Sequence, residues 1–278
     1  MAKLALSVAK MQAAGNDFVV VNDMARRISS PARLAARLCH RQFGVGADGL
    51  ILLQPARNGR SAYRMRIINS DGSEAEMCGN GSRCAVKFAV ESGLAPASHI
   101  FETLAGAIAG RYLSPAKVRV ALTEPSEFRS NVVVPLRSGR IRGTFINTGV
   151  PHFVTFVRRL DGLDVNVLGR EIRTHRIFSP RGTNVNFAQV LKSGRRNSRI
   201  RLRTFERGVE SETLACGTGA TASAIVAALT RGLCPPVAVV TTGGSVLTIQ
   251  FCIGSPTGVS TVTMEGPVEK VFETRLSI

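Results

Sequence analysis

The sequence predicts an α/β protein made of mixed sheet and divided into two pseudo-symmetric lobes. A nine-residue segment occurs twice, as SEAEMCGNG at residues 73–81 and as SETLACGTG at residues 211–219. An alanine-rich stretch suited to one long helix follows each copy, and strand-like runs outnumber helices elsewhere. We therefore expect each lobe to be a curved sheet around a central helix, with the active site in the cleft between the lobes.

The first half of the chain reads as strands and one helix before its copy of the repeat. Residues 4–22 form an extended run that is interrupted by a turn at residues 15–17. Ser30 and Pro31 carry the capping and first-turn signals of a helix, which ends before the segment GVGADG. The segments GLILLQ and YRMRIIN then predict paired strands. Apolar side chains alternate along the second of them at Tyr63, Met65 and Ile67.

The two long helices are predicted to end at Gly93 and Gly232, because glycine readily adopts the left-handed conformation that closes a helix. The second half of the chain is rich in strand-like runs: NVVVPL, IRGTFIN, HFVTFV, TNVNFAQV, SRIRLRTF, VAVVTT, VLTIQF, VSTVTM and VEKVFETRL. The junction is expected near residues 123–130. Residues 1–122 with about 268–278 then form the first lobe, and residues 123–267 form the second.

The composition excludes several classes of protein. With 44% hydrophobic and 20% charged residues over 278 positions, the chain can bury a large core. No apolar run approaches the roughly 20 residues that span a bilayer, so we expect a cytoplasmic protein with no membrane partner. Six cysteines without CxxC pairs indicate neither a disulfide framework nor a zinc site. The formal charge of +17 does not by itself identify a partner.

The two cysteines of the repeat, Cys78 and Cys216, lie 138 residues apart (216 − 78) and each opens a glycine-rich turn before a helix. Such a helix end offers unpaired N–H groups to an anion and lowers the pKa of a thiol. Inverting a carbon centre requires one group to remove a proton and another to return one on the opposite face. Two thiols beside two carboxylate-binding helix ends therefore suit an amino-acid racemase that needs no cofactor.

The CGxG motif alone is a weak signal, because free cysteines are usually small buried hydrophobic residues. We keep that structural interpretation for the other four cysteines, Cys39, Cys84, Cys234 and Cys252. For the repeated pair, the shared Ser-Glu upstream and Gly-x-Gly downstream favour a functional role.

The order of several further motifs resembles the diaminopimelate epimerase family from about residue 11 to residue 270. The motifs are Gly15-Asn16-Asp17-Phe18, Gly46-Ala47-Asp48-Gly49, Asn69 to Ser73, Cys78 to Cys84, Gly149-Val150-Pro151-His152, Thr183 to Phe187, and Glu206-Arg207-Gly208 through Ala220. The resemblance implies conversion of LL-2,6-diaminopimelate to the meso form for lysine and peptidoglycan precursors. It also implies a homodimer and an enzyme without pyridoxal phosphate or metal.

The resemblance also implies roles for individual residues. Cys78 would donate and Cys216 accept the proton, and His152 and Glu206 would tune the two thiols. The residues implied to bind substrate are Asn16, Asn69, Gly79, Asn80, Asn184, Glu206, Arg207, Gly217 and Thr218. The chain departs from the family where Ala13 replaces a usual glycine, which predicts backbone strain or a narrower pocket.

Two alternatives remain open at this point. A related cysteine-pair racemase of proline, hydroxyproline or histidine would have little use for the asparagine and arginine side chains that suit a second amino-acid end. A basic RNA-binding protein is suggested by the segment KSGRRNSRIRLR at residues 192–203. The chain has only two tyrosines and no tryptophan for stacking on bases, so we interpret this segment as a solvated edge hairpin with Ile200 and Leu202 inward.

Overall fold

The computed structural model describes residues 5–192, 197–254 and 258–277. Its contacts divide the chain into two compact units, one formed by Met1–Ala121 with Glu265–Ile278 and the other by Leu122–Met264. Each unit contains mixed sheet and a long central helix, which confirms the predicted fold class.

The first unit follows the predicted order of elements and adds four strands, the fifth to the eighth, that the sequence analysis did not assign. Its elements are β1 (Ala5–Ala13), β2 (Asn16–Asn22), α1 (Pro31–Cys39), β3 (Gly49–Gln54), β4 (Arg64–Asn69), β5 (Glu74–Ala75), α2 (Gly79–Glu91), β6 (Ser98–Thr103), β7 (Gly106–Ser114) and β8 (Lys117–Ala121). Neighbouring strands pair antiparallel, except that β2 and β3 are parallel and β4 pairs in parallel with β6.

The second unit repeats this arrangement with other residues. Its elements are β9 (Ser126–Leu136), β10 (Gly139–Asn147), β11 (Pro151–Phe156), α3 (Val165–Arg173), a short 3₁₀ helix (Arg176–Phe178), β12 (Asn184–Lys192), β13 (Ser198–Glu206), β14 (Ser211–Thr213), α4 (Gly217–Arg231), β15 (Val237–Val240), β16 (Val246–Ile253) and β17 (Val259–Pro267), whose last residues belong to the first unit. The parallel pairs are β11 with β12 and β13 with β15.

The two units share one topology. The antiparallel, parallel and antiparallel pairs that join β1, β2, β3 and β4 recur in the same order along β10, β11, β12 and β13. A short strand, the long helix and a parallel strand then follow in both units. The internal repeat seen in the sequence thus extends over a complete structural unit.

Both long helices are buried along most of their length, and the buried residues of α2 include polar ones, Asn80, Ser82, Arg83 and Lys87. Residues 79–89 of α2 and 219–228 of α4 are all buried. Helix α2 packs mainly against β1, β2, β7 and β8, and α4 packs mainly against β12, β16 and β11. Both helices close near the predicted glycines. Gly93 follows α2 with φ 70°, and Gly232 caps α4 with φ 69°. The shorter helices α1 and α3 pack apolar faces onto further core clusters.

The last strand, β18 (Glu269–Ser277), pairs antiparallel with β1, so the end of the chain returns to the first unit. The predicted helix start at Pro31 is confirmed, although the Ser30 side chain makes no capping hydrogen bond. Tyr63, Met65 and Ile67 are buried as predicted, but Arg64 and Ile68 are buried as well, so the predicted alternation along β4 is incomplete.

Two local predictions were wrong. The turn between β1 and β2 carries its positive φ values at Ala14 (56°) and Gly15 (87°), while Ala13 lies in the strand. The steric cost of a left-handed backbone is therefore borne by Ala14, one residue after Ala13, where strain was expected. The strand β13 is also not an edge, because β12 lies on one side and β15 on the other. Ile200 and Leu202 do point inward, as predicted. Residues 193–196 of that basic segment lie outside the described residues.

Candidate active site

In the first unit, Cys78 is the N-cap residue of α2. Its backbone is extended, with φ −142° and ψ 120°, and its Sγ accepts a hydrogen bond from the N–H of Gly81 at 3.5 Å. The backbone of Cys78 also accepts the first helical hydrogen bond from Ser82. The thiol therefore sits where the unpaired N–H groups of the helix converge, as the Gly-rich turn predicted.

Two asparagines lie beside this thiol. The Cys78 Sγ–H donates to Oδ1 of Asn16 at 3.7 Å, and Nδ2 of Asn80 donates to the same oxygen at 3.2 Å. The Nδ2 of Asn16 donates to Oδ2 of Asp48 at 2.6 Å. Asn16 thus links the Cys78 thiol to Asn80 and Asp48 in one hydrogen-bonded group, and Asn16 and Asn80 are predicted ligands.

Arg83 lies one turn into α2 and is fully buried. Its guanidinium donates to the carbonyl of Gly79 at 3.4 Å and to Oδ1 of Asn80 at 2.9 Å. Burial lowers the pKa of Arg83 to about 10, against a smaller opposing effect of Cys84 and Cys78. At neutral pH the residue remains a cation inside the unit.

Asn69 lies at the end of β4 and is exposed. Its Nδ2 donates to Oγ of Ser73 at 2.9 Å, and its backbone N–H donates to the Ser73 carbonyl. The side chain is thus tied to the turn that leads into the repeat.

In the second unit, Cys216 is the N-cap residue of α4 and is buried. Its backbone is again extended, with φ −114° and ψ 111°. Its Sγ lies 3.5 Å from the hydroxyl of Thr218, where either atom can donate. The Thr218 carbonyl in turn accepts a hydrogen bond from Thr148 at 3.1 Å. The Cys216 sulfur is thus in contact with a hydroxyl group, whereas the Cys78 sulfur is in contact with an amide oxygen.

A buried polar cluster underlies the start of α4. Nδ2 of Asn186 lies 3.0 Å from Nδ1 of His152, and Oδ1 of Asn186 accepts from the Thr204 hydroxyl at 3.0 Å. A Cβ added to Gly219 would overlap Oδ1 of Asn186 and lie 3.3 Å from the Cys216 sulfur. The cluster is therefore in contact with the turn that carries the cysteine.

His152 is fully buried in this cluster. Burial, and secondarily the positive charge of Arg207, lowers the pKa of His152 to about 3. The ring is thus neutral over the physiological range, and because Nδ1 accepts from Asn186, its proton lies on Nε2.

The remaining predicted ligands lie at the start of β12, at the end of β13 and in the turn after β13. Both ends of the Asn184 amide contact backbone, Nδ2 with the Pro151 carbonyl at 3.0 Å and Oδ1 with the Arg207 N–H at 2.8 Å. The Arg207 guanidinium donates to the Arg181 carbonyl at 3.0 Å. Glu206 accepts from the Thr213 hydroxyl at 3.1 Å. Asn184 therefore orders the backbone of Arg207 in this conformation.

The structure brings Cys78, Asn16, Gly79 and Asn80 together in the first unit. It groups Cys216 with Gly217 and Thr218, and Asn184 with Arg207, in the second. Sequence reasoning missed the contributions of Asp48, Arg83, Asn186 and Thr204. A signal was present at Thr204, a polar residue at an inward position of the alternating strand β13. Asn186 gave no such signal, because the first five residues of β12 are all buried.

Two of the other cysteines are buried thiols of a different character. Burial raises the pKa of Cys39 to about 11 and that of Cys84 to about 12. Both remain protonated at neutral pH, which agrees with the structural interpretation of these two positions. Within residues 5–192, 197–254 and 258–277, no group of three or more histidine, cysteine or acidic side chains could hold a metal ion. Over the same ranges, no helix is long and apolar enough to cross a membrane.

Two arginines of the basic segment, Arg201 and Arg203, are engaged in ion pairs. Arg201 contacts Asp161 at 2.7 Å and Arg203 contacts Glu212 at 2.6 Å. Their charges are thus locally balanced, which disfavours the RNA-binding alternative.

Two units of one topology, each with a cysteine capping its central helix, define the class of the protein as a duplicated α/β fold. Solved structures share this fold. A hydroxyproline epimerase from Agrobacterium vitis aligns with 99% of this chain and 93% of its own, at a TM-score of 0.69 and 17% identity. A phenazine biosynthesis protein of the PhzF family from Bacillus anthracis aligns with 99% and 100%, at a TM-score of 0.74 and 15% identity. At these identities the likeness concerns the fold alone.

The sequence comparisons are more specific. A family model described as "Diaminopimelate epimerase" matches residues 8–126 and 144–271. The diaminopimelate epimerase of Aquifex aeolicus is 47% identical over 96% of both chains. That of a Hydrogenobaculum species is 43% identical over 97% of this chain and 98% of its own. The chain belongs to the diaminopimelate epimerase family.

Proposed function

We propose that this protein is a two-cysteine isomerase that converts LL-2,6-diaminopimelate to the meso form without pyridoxal phosphate or metal. The observation that carries the proposal is the same cysteine at the N-cap of the central helix in both units. Membership of the family supports diaminopimelate as the substrate over the smaller amino acids of distantly related racemases. Lysine and peptidoglycan precursor synthesis are the processes that consume this product.

The proposed reaction moves one proton off the substrate and returns another. The Cys216 thiolate takes the proton from the Cα of one end, and the C–H electron pair passes into the adjacent carboxylate. The Cys78 thiol then donates a proton to the opposite face of the same carbon. The thiol form of Cys78 is supported by its hydrogen bond to the Asn16 oxygen. Reversing the two roles converts the meso isomer back.

The negative charge that develops on the reacting carboxylate needs hydrogen-bond donors that are already in position. We assign this role to the backbone N–H groups and side chains of the two turns. They belong to Gly79, Asn80, Gly217 and Thr218. Helix N-termini suit this task because their N–H groups have no partner within the helix.

The rest of the substrate carries a second ammonium and a second carboxylate. We assign Arg207 to the carboxylate and Glu206 to the ammonium, because their charges complement these groups. The amides of Asn16, Asn69 and Asn184 can serve either group. His152 tunes the Cys216 side as a neutral ring, since its pKa of about 3 excludes a positive charge there near neutral pH. Glu206 is the second proposed tuning residue.

The test is deuterium incorporation at Cα of diaminopimelate when the purified protein is incubated in D₂O with a chelator and no added pyridoxal phosphate. The wild-type protein should exchange and invert. Exchange with proline or histidine alone would contradict the proposed substrate.

Single Cys78→Ala and Cys216→Ala variants should each lose inversion, because each removes one of the two proton carriers. Cys84→Ala is the matched control, since Cys84 lies on the same helix as a buried thiol with a pKa of about 12. It should keep inverting substrate. Wild-type inversion by either of the first two variants would contradict the two-base mechanism.

The resemblance also supports a homodimer in the cytoplasm as part of this proposal. Light scattering of the purified protein should give twice the 29.7 kDa mass of one chain. A monomer at micromolar concentration would contradict it.

A further inference from the structure

We propose that Asp48 and Arg83 are positioning residues that hold the amides of Asn16 and Asn80 in the one orientation in which the Cys78 thiol meets an oxygen. The inference rests on the proposed two-cysteine function. It adds two residues to which neither the motifs nor the chemistry of the substrate assigned a role.

An asparagine side chain can rotate by 180° and exchange its oxygen for its NH₂ group. If Asn16 rotated, the Cys78 sulfur would face an N–H donor and the thiolate would be favoured. The orientation of this amide thus decides which protonation state its neighbour stabilises.

Asp48 determines the orientation of the first amide. An ionised carboxylate can only accept hydrogen bonds, so Asp48 at 2.6 Å requires the NH₂ group of Asn16 on its side. The oxygen of Asn16 must then point the other way, towards Cys78 and Asn80. Arg41 pairs with the same carboxylate at 2.8 Å.

Arg83 determines the orientation of the second amide. A guanidinium can only donate, so Arg83 at 2.9 Å requires the oxygen of Asn80 on its side. The NH₂ group of Asn80 must then face Asn16, where it donates to the oxygen at 3.2 Å. Because Arg83 is fully buried and also bonded to the carbonyl of Gly79, this end of the network is rigid.

The network therefore begins at the Asp48 carboxylate, which can only accept, and ends at the Arg83 guanidinium, which can only donate. Between them, each of the two amides donates towards Asp48 and accepts from the side of Arg83. In the second unit the residue five positions after the cysteine is Thr221 in place of Arg83, and its hydroxyl donates to the Gly217 carbonyl. We expect the network to keep Cys78 in its proton-donating form when LL-diaminopimelate binds.

Several charged groups besides these two lie around the network and contribute to any dependence on pH. Asp17 on β2 pairs with Lys10 of β1 at 2.6 Å and with Arg41 at 3.2 Å. Hydrogen bonds and charges from Lys10 and Arg41 together outweigh burial and lower the pKa of Asp17. A variant must therefore be compared with another of equal charge.

The experiment compares Asp48→Ala with Asp48→Asn. Both variants remove the negative charge, but only asparagine keeps an oxygen that can accept from Asn16. The measurement is the pH profile of kcat/KM with LL-diaminopimelate and, separately, with the meso isomer. Ionisation of Cys78 forms the alkaline limb in the first direction and the acidic limb in the second.

In Asp48→Ala both limbs should move to lower pH together, by about half a pH unit or more relative to Asp48→Asn, as expected for one hydrogen bond to a thiol. Arg83→Met and Arg83→Gln form a second matched pair, because both are neutral and only glutamine can donate to Asn80. Denaturant unfolding identifies variants of Arg83 that fail to fold. If they do, the comparison of Asp48→Ala with Asp48→Asn still tests the inference, because Asp48 is exposed.

Identical limbs in the two Asp48 variants, with only the plateau lowered, would overturn the inference and leave the proposed function intact. A wild-type protein that does not invert diaminopimelate would instead overturn the proposed function itself.

Discussion

The turns around Cys78 and Cys216 are similar in backbone, yet the residues beneath them differ in kind. A Cβ placed on Gly81 in the first unit would meet only apolar side chains, those of Phe18, Ile51 and Ile67. A Cβ placed on Gly219 in the second would meet the oxygen of Asn186. We call these two layers the apolar floor and the polar floor.

The strand registers show that the floors occupy equivalent places. Phe18 pairs with Gly49 as His152 pairs with Asn184, at the start of the parallel strands. Two residues further along, Ile51 pairs with Ile67 as Asn186 pairs with Thr204. Three apolar residues of one unit thus correspond to a hydrogen-bonded histidine, asparagine and threonine of the other.

The comparison teaches that the two units keep the turn and vary its support. In the first unit, the polar groups near the cysteine are the hydrogen-bonded pair of Asn16 and Asn80 and the buried Arg83 that bonds to Asn80. In the second, they lie beneath it, and the neutral His152 replaces a phenyl ring. Two thiols of one origin can in this way have different proton affinities, which a proton donor and a proton acceptor require.

The largest expected loss of stability comes from replacing a polar residue of the polar floor with an apolar one. Asn186→Leu should leave the buried His152 and Thr204 without their partner, at a cost of about 1–3 kcal/mol for each group. Ile51→Val in the apolar floor should cost only about 0.5–1.5 kcal/mol. Denaturant unfolding measures both free energies. Equal losses would mean that the polar floor contributes nothing beyond packing.

The second difference between the floors is that only one can take up a proton. The folded pKa of His152 is about 3, below its usual value of 6.5, so the unfolded chain binds more protons between these values. The contribution of the neutral His152 ring to the free energy of unfolding is fully present above about pH 6.5, and it is lost as the pH falls towards 3. Its slope is at most about 1.4 kcal/mol per pH unit. Unfolding of wild type and His152→Gln at several pH values measures this slope, and equal slopes would contradict the assignment.

The smallest difference concerns the two glycines themselves. Gly219→Ala forces a contact with Asn186, which is held by hydrogen bonds, and should destabilise the fold by about 1–3 kcal/mol. Gly81→Ala meets the flexible ends of three apolar side chains at 3.2–3.5 Å, and a smaller loss is expected. Thermal unfolding of the pair tests the order. A larger loss for Gly81→Ala would reverse the comparison.

Much of the fold could be predicted because its signals are local. The duplicated segment predicted both central helices, and glycines marked their ends. The strand-like runs of the second half all became strands because β-branched and aromatic residues suit a pleated, half-buried surface. The helix α3 was missed, since the helical spacing of its buried residues, Val165, Gly169 and Ile172, extends over only nine residues and includes a glycine. The interpretation of β13 as an edge failed because strand neighbours are decided by distant segments.

By itself, the sequence determined that the protein has two similar halves and that a cysteine begins the central helix of each. A repeat and a helix start can be read from neighbouring residues. Only the tertiary structure decided what surrounds each sulfur. Asp48, Arg83, Asn186 and Thr204 come from separate strands, loops and helices. The hydrogen bonds of the group around Cys78 span up to 64 residues of chain, between Asn16 and Asn80. Such contacts depend on strand register and burial, which no single segment encodes.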